Sequence, residues 1–245
     1  MQKTSTHWGI VICFVIFQFN TYAQGVAYSV KSGLTVGFQR WDNYANRSPL
    51  YKYHVAGTIE SLAGETNQFS LFAQFGYHQK GSALRSQSAT NLSGNIFKLA
   101  RQEFVFKNLS LMLGGKRKYG NSEGLQYYYL FGLRGDYTIG TNLSDYKELN
   151  NTYPGSYPLE GFVRKFNYGV SAGGGLEFPI SSLISCLLEV VVSPDFSYQY
   201  QQPAIPNVRY PWSTNSVTVP ERKIINTVLE ISLGLRFINM VEYVD

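Results

Sequence analysis

The sequence is poor in charge, cysteine and histidine, and beyond its N-terminus it has no long apolar run. Charged residues make up 15% of the 245 residues, and the formal net charge is +5, or +4 once Lys3 leaves with a leader. The charges form no runs, so no nucleic-acid partner is expected. Of the 2 cysteines, Cys13 lies in the N-terminal apolar stretch and Cys186 in the body. With Cys13 removed, Cys186 has no intramolecular partner and a disulfide is excluded. Its apolar neighbours point to an inert thiol, buried or lipid-facing. Only His54 and His78 of the 3 histidines lie in the body, which makes a poor metal site without a carboxylate placed beside them. There is no phosphate loop, no CxxC, no HExxH and no dinucleotide fingerprint, so neither cofactor nor metal is expected. No later segment reaches the roughly 18 uninterrupted apolar residues of a transmembrane helix. The mean hydropathy is slightly negative.

The N-terminus reads as a leader. Lys3 is basic, an apolar run extends from Trp8 to Phe19 with Gln18 as its one break, and Thr21 and Ala23 supply small residues at the positions a signal peptidase requires. The run is short of the roughly 20 residues of a spanning helix. Cleavage is expected after Ala23, leaving residues 1–23 as signal peptide and 24–245 as one domain. An exported chain without a transmembrane helix is either soluble beyond the inner membrane or a β-barrel.

What is abundant is strand-forming material: 19 tyrosines, 16 phenylalanines and 23 glycines. Apolar and polar residues alternate with period two from Gly33 to Phe237. The closing segment shows it best. Ile225, Thr227, Leu229, Ile231, Leu233, Leu235 and Phe237 share one face, opposite Asn226, Val228, Glu230, Ser232, Gly234 and Arg236. Comparable alternation predicts strands over 68–78, 125–139, 165–178 and 184–193, with weaker ones over Gly33–Trp41 and Tyr51–Ser61. The fourth strand is irregular: Phe104 and Phe106 have one parity, and Leu109, Leu111 and Leu113 the other. A bulge near Lys107-Asn108 would restore one continuous apolar face. The connections alternate long and short, as expected of an outer-membrane barrel with long outer loops and tight periplasmic turns. An even number of strands places both chain ends on the short-turn side.

Alternation alone also fits a soluble sandwich or a lipocalin. Two features favour the membrane. Small residues (Gly169, Ser171, Gly173, Gly175, Gly234) lie with the polar set, as the narrow interior of an eight-stranded barrel requires. Aromatics such as Tyr51, Tyr53, Tyr77, Tyr137, Phe166, Phe178 and Phe237 sit near strand ends, as an interfacial girdle would. The expected fold is therefore all-β: an eight-stranded antiparallel up-and-down transmembrane barrel in a bacterial outer membrane.

Four stretches carry a family resemblance. They are Gln102–Phe106, Tyr127–Gly135, Tyr168–Phe178 and the closing Val228–Phe237 with its terminal aromatic. On these the chain resembles the small PorT-like and OmpX-like outer-membrane barrels. Two departures stand out. Phe104 and Val105 follow Glu103 where the family often has proline, and Ile238–Asp245 extend past Phe237 where the family usually ends. No peptidoglycan-binding domain follows, so a stand-alone barrel is expected, and the resemblance implies, by analogy, a role in secretion or surface assembly.

The inward parity collects Lys52, His54, Glu60, His78, Glu103, Arg134, Asp136, Lys165, Glu177, Glu189, Glu230 and Arg236. Arg134, Glu189 and Glu230 are expected near mid-height, and Glu177 and Arg236 near the periplasmic end. Charges in a narrow barrel are costly unless paired, so a salt-bridged plug is expected over a pore. His54 and His78 fall near the outer rim, while Ser70 and Glu60, the groups a catalytic histidine would need, fall toward the other end. No catalytic constellation is expected. The remaining surface is two tyrosine-rich loops. Tyr146, Tyr153, Tyr157, Tyr198, Tyr200, Tyr210 and Trp212 form either a platform for a protein or glycan partner or a cap folded onto the rim. The expected partners are outer-membrane lipid and a second outer-membrane or secreted protein. A narrow pore and a lipid-modifying enzyme are the alternatives.

Overall fold

The computed structural model describes residues 23–42, 47–63, 68–84, 88–90, 96–98, 101–120, 124–152, 157–209 and 216–240. Residues 1–22, where the leader is expected, residues 64–67 and 121–123, and Tyr153, Tyr210 and Trp212 lie outside the described residues. Eight long strands form the wall: β1 (Ala23–Trp41), β2 (Arg47–Ala63), β3 (Phe69–Leu84), β4 (Gln102–Tyr119), β5 (Gln126–Thr141), β6 (Phe166–Pro179), β7 (Ile184–Pro194) and β8 (Arg222–Met240). Each pairs antiparallel with its sequence neighbour, and β1 pairs with β8 from Gly25↔Met240 to Trp41↔Ile224, which closes the ring.

The alternation read from the sequence sets the two faces of this wall. Val30, Phe75, Phe131, Leu133, Val190 and Leu233 point outward and are exposed. The intervening positions are buried inside. An apolar face turned out and a polar face turned in is the arrangement of a barrel dissolved in lipid. Cys186 is outward on β7, between Ser185 and Leu187, which are both buried. The long-short rhythm holds with one change: the first outer connection, residues 42–46, is as short as the periplasmic ones. The other outer connections carry structure of their own. Residues 142–165 contain two 3₁₀ turns and α1 (Lys147–Thr152), and residues 195–221 add a short strand, Tyr200–Gln202, that pairs onto β8.

The strands are longer than the apolar alternation. β1 begins at Ala23 rather than Gly33, and β3 runs to Leu84. A strand crosses a bilayer in roughly 9–11 residues, so walls of 16 to 19 residues in β1–β5 rise above it. That height corrects the reading of β4. The irregularity near Lys107-Asn108 is present, but the unmatched residue is Ile139 of β5, because Lys107 pairs with Gly140 and Asn108 with Thr138. Phe104 and Phe106 do not join the lipid face. They share the inward parity of Asn108 and Ser110 and are buried in the barrel mouth. Glu103 is thereby turned to the outer rim, where it pairs with Lys52. Lys165 precedes β6 and is exposed rather than inward.

At the outer end β2 leaves its regular register with β3 between Pro49 and His54, and β1 comes close to β3. Gly37 and Gly81 make this approach: a Cβ on Gly37 would lie 2.7 Å from the Gly81 carbonyl oxygen. Gly81 has φ +153°, and a Cβ there would meet the Phe104 carbonyl oxygen at 1.9 Å. Gly81→Ala is expected to cost about 1–3 kcal/mol, read as a lower urea midpoint for the folded, fast-migrating form of the barrel.

Candidate functional site

The lumen is filled by three levels of charge. At the periplasmic level Arg236 of β8 bridges two carboxylates. Its Nε donates to Glu60 Oε2 at 3.2 Å and its Nη1 to Glu177 Oε1 at 2.9 Å. Lys118 lies 2.8 Å from Glu177, Lys116 donates to Glu60 at 3.4 Å, and the Ser70 hydroxyl donates to Glu60 at 2.6 Å. The Lys116 ammonium sits 4.0 Å above the Tyr128 ring. At the middle level Lys31 pairs with Glu189, whose other oxygen accepts from the Tyr128 hydroxyl at 2.9 Å.

The upper level is the most deeply buried. Lys80 of β3 donates to Asp136 at 2.8 Å and to Asp195 at 2.7 Å, and none of these three side chains is exposed. Arg134 lies against the same two carboxylates, 3.0 Å from Asp136. His78 Nδ1 is 2.8 Å from Glu230. Taken together, Lys31, Lys80, Lys116, Lys118, Arg134 and Arg236 equal in number Glu60, Asp136, Glu177, Glu189, Asp195 and Glu230, with Lys116, Lys118 and Arg236 sharing Glu60 and Glu177, and Glu230 against His78. Charges taken out of water are tolerated when so paired and hydrogen-bonded. Between the levels lie a cavity of about 10 Å³ beside His54, His78 and Glu230 and one of about 20 Å³ beside Lys31, Glu60 and Glu189, each with room for about one water.

Above the charges an amide and hydroxyl layer follows. Gln39 donates to Asn226, Asn226 to Asp195 and Gln199, and Gln199 to Thr138. An aromatic cap covers it: Trp41, Phe104, Phe106, Leu143, Tyr200 and Ile224 form one buried cluster, with Tyr146, Tyr157 and Phe162 packed against it. The Tyr146 and Tyr157 rings stack at 5.2 Å, and the Tyr146 hydroxyl donates to the Glu103 carbonyl. Burial pushes the Tyr146 and Tyr200 hydroxyls up from their ordinary pKa, so both stay protonated donors. Tyr200 is fully buried, and its hydroxyl donates to Gln202 at 2.6 Å. Tyr146, Tyr157 and Tyr200 all pack into the cap. Tyr198 is half-buried.

Arg134, Glu177, Glu189, Glu230 and Arg236 all face the lumen, but not as one network: Glu177 and Arg236 meet below, Glu189 in the middle, Arg134 and Glu230 above. Sequence reasoning missed Lys31, Lys80, Lys116, Lys118 and Asp195. Each carries the inward parity of its strand just beyond the apolar alternation, and extending the parity would have found them. His54 differs too. Its Nε2 lies 2.8 Å from the Ser232 hydroxyl and its Nδ1 3.0 Å from the Thr35 hydroxyl. A histidine–serine pair therefore exists, but Ser232 and His54 are both buried and the adjoining cavity admits no acyl chain. Among the described residues no group of three metal-ligating side chains occurs.

A closed antiparallel ring, apolar outside and ion-paired inside, defines a transmembrane β-barrel of the bacterial outer membrane. The chain belongs to the outer membrane protein beta-barrel domain family, whose model matches residues 19–200. Comparison with curated proteins gives no match. Among solved structures it is similar to Neisserial surface protein A, at 8% identity and TM-score 0.45, covering 86% of this chain and 96% of that one. It is also similar to OprG of Pseudomonas aeruginosa, at 12% identity and TM-score 0.45, covering 88% and 97%. For the OmpT protease of Escherichia coli the values are 9% and 0.44, covering 89% and 97%.

Proposed function

We propose that this protein is a non-conducting barrel that anchors a binding surface at the outer face of the membrane, where its loops engage another outer-membrane or secreted protein. The observation that carries this reading is the filled lumen. Paired charges occupy three levels, and an aromatic cap covers them, so a solute would have to break several buried ion pairs to pass. The loop tyrosines Tyr146, Tyr157 and Tyr200 are spent on that cap. The surface left for a partner is the pair of hairpins standing above it, Ser88–Thr90 with Ile96–Lys98 and Ile205–Arg209 with Ser216–Val219, where Ile96 and Val217 are exposed. The resemblance to PorT-like and OmpX-like barrels fits such a role.

Two measurements test the proposal. In planar bilayers the purified protein is expected to show no conductance steps. Steady steps that disappear when Glu230 or Arg134 is neutralised would establish a pore instead. Affinity capture from detergent-solubilised outer membrane is expected to recover a partner that is lost when 205–219 is replaced by a short turn. Capture unchanged by that replacement would remove the hairpin from the proposed surface.

A further inference from the structure

On the lipid-facing wall in the periplasmic half of the barrel, Arg117 is the one charged side chain among the described residues that points outward. It lies near the periplasmic end of β4, level with Phe69 on β3 and Tyr129 on β5. Its guanidinium carbon is 5.3 Å from the centre of the Tyr119 ring. Tyr119 stacks on Tyr127 at 5.4 Å and lies 5.7 Å from Tyr129, with the Tyr119 hydroxyl donating to the Tyr129 hydroxyl at 3.2 Å. The neighbouring outward positions, Leu71, Leu113 and Phe131, are apolar and exposed. All the periplasmic-half carboxylates named above, Glu60, Glu177 and Glu189, face the lumen and are already paired there.

We infer that Arg117, with Tyr119 and Tyr129, binds the phosphodiester of an anionic phospholipid in the periplasmic leaflet. A guanidinium presents paired donors that match a phosphate's oxygens, and it is held at the depth where a headgroup meets the acyl chains. The Tyr119 ring lies beneath the guanidinium, and the linked Tyr119 and Tyr129 hydroxyls add hydrogen-bonding groups beside it. The apolar residues beside them accept the acyl chains. Charge complementarity selects a net-anionic headgroup over a zwitterionic one, whose ammonium the arginine repels.

The test uses the full-length protein extracted in a mild detergent, with phosphatidylglycerol, phosphatidylethanolamine and inorganic phosphate as probes and native mass spectrometry as readout. Wild type is expected to retain one phosphatidylglycerol in preference to phosphatidylethanolamine. Arg117→Gln is expected to weaken that retention by about tenfold. The paired change Tyr119→Phe with Tyr129→Phe, which keeps the wall apolar, is expected to weaken it by about fivefold. Arg40→Gln with Lys107→Gln, at the opposite end of the wall, is expected to leave it unchanged. The shift in gel mobility on heating confirms that each variant is folded. Equal retention by wild type and Arg117→Gln would overturn the inference. So would displacement of the lipid by inorganic phosphate at equal concentration, which would mark a bare phosphate site rather than a lipid site.

Discussion

Asp136→Ala is expected to destabilise the barrel by about 3–5 kcal/mol, the cost of leaving a buried charge without its partner. Asp136 accepts from Lys80 and lies against Arg134, and none of its surface is exposed. Without it, two cations must share Asp195, which already receives both. The loss is expected as a lower urea midpoint for the folded band on an unheated gel, with the outer-membrane location kept. The double variant Lys80→Met with Asp136→Leu removes one charge of each sign and leaves Arg134 paired to Asp195. It is expected to cost much less than the sum of the two single changes, because the penalty lies in the orphaned charge rather than in the lost pair. Additive single and double effects would show that Lys80 and Asp136 are not energetically coupled.

Phe104→Ala is expected to cost about 3–5 kcal/mol as well, but with a different signature. Phe104 lies 5.5 Å from Trp41 and 5.1 Å from Tyr146, and it is the side chain on which the loop residues Tyr146 and Tyr157 rest. Truncation removes the floor of the cap while leaving the charge levels beneath it intact. Protease added to intact cells is therefore expected to cut within 142–165 at least several-fold faster in the variant, while the heat-dependent gel shift persists. Loop cleavage at the wild-type rate would show that the loop is held by the backbone and Asn142 contacts alone, through Val105 and the Glu103 carbonyl.

The two variants separate what was legible from what was not. Asp136 was placed in the lumen by its parity with Arg134, and so was Glu230. Their partners were not all visible. Lys80 and Asp195 lie past the point where greasy alternation stops, and only lipid-facing residues announce a strand. Above the bilayer the outer face no longer has to be apolar, so the wall continues without that signal. The same reason explains Phe104 and Phe106. An aromatic pair in a membrane strand reads as lipid-facing, yet above the bilayer the dry surface is inside, beneath the loops. Tyr200 follows suit: a loop tyrosine reads as exposed until the mouth it fills is known.

By itself the sequence determined the side of the wall on which the residues within the bilayer stand, and with it the class of fold. Period-two alternation is local: each residue faces away from its neighbour whatever the rest of the chain does. The tertiary structure alone decided which charges meet. Closing β1 on β8 staggers the strands around the ring, so residues far apart in sequence arrive at one level. Lys31 reaches Glu189, Lys80 reaches Asp195 and Arg236 reaches Glu60 only because that stagger exists. Closure also puts a floor under the loops. It makes a cap of Trp41, Phe104 and Tyr200, residues from three separate segments.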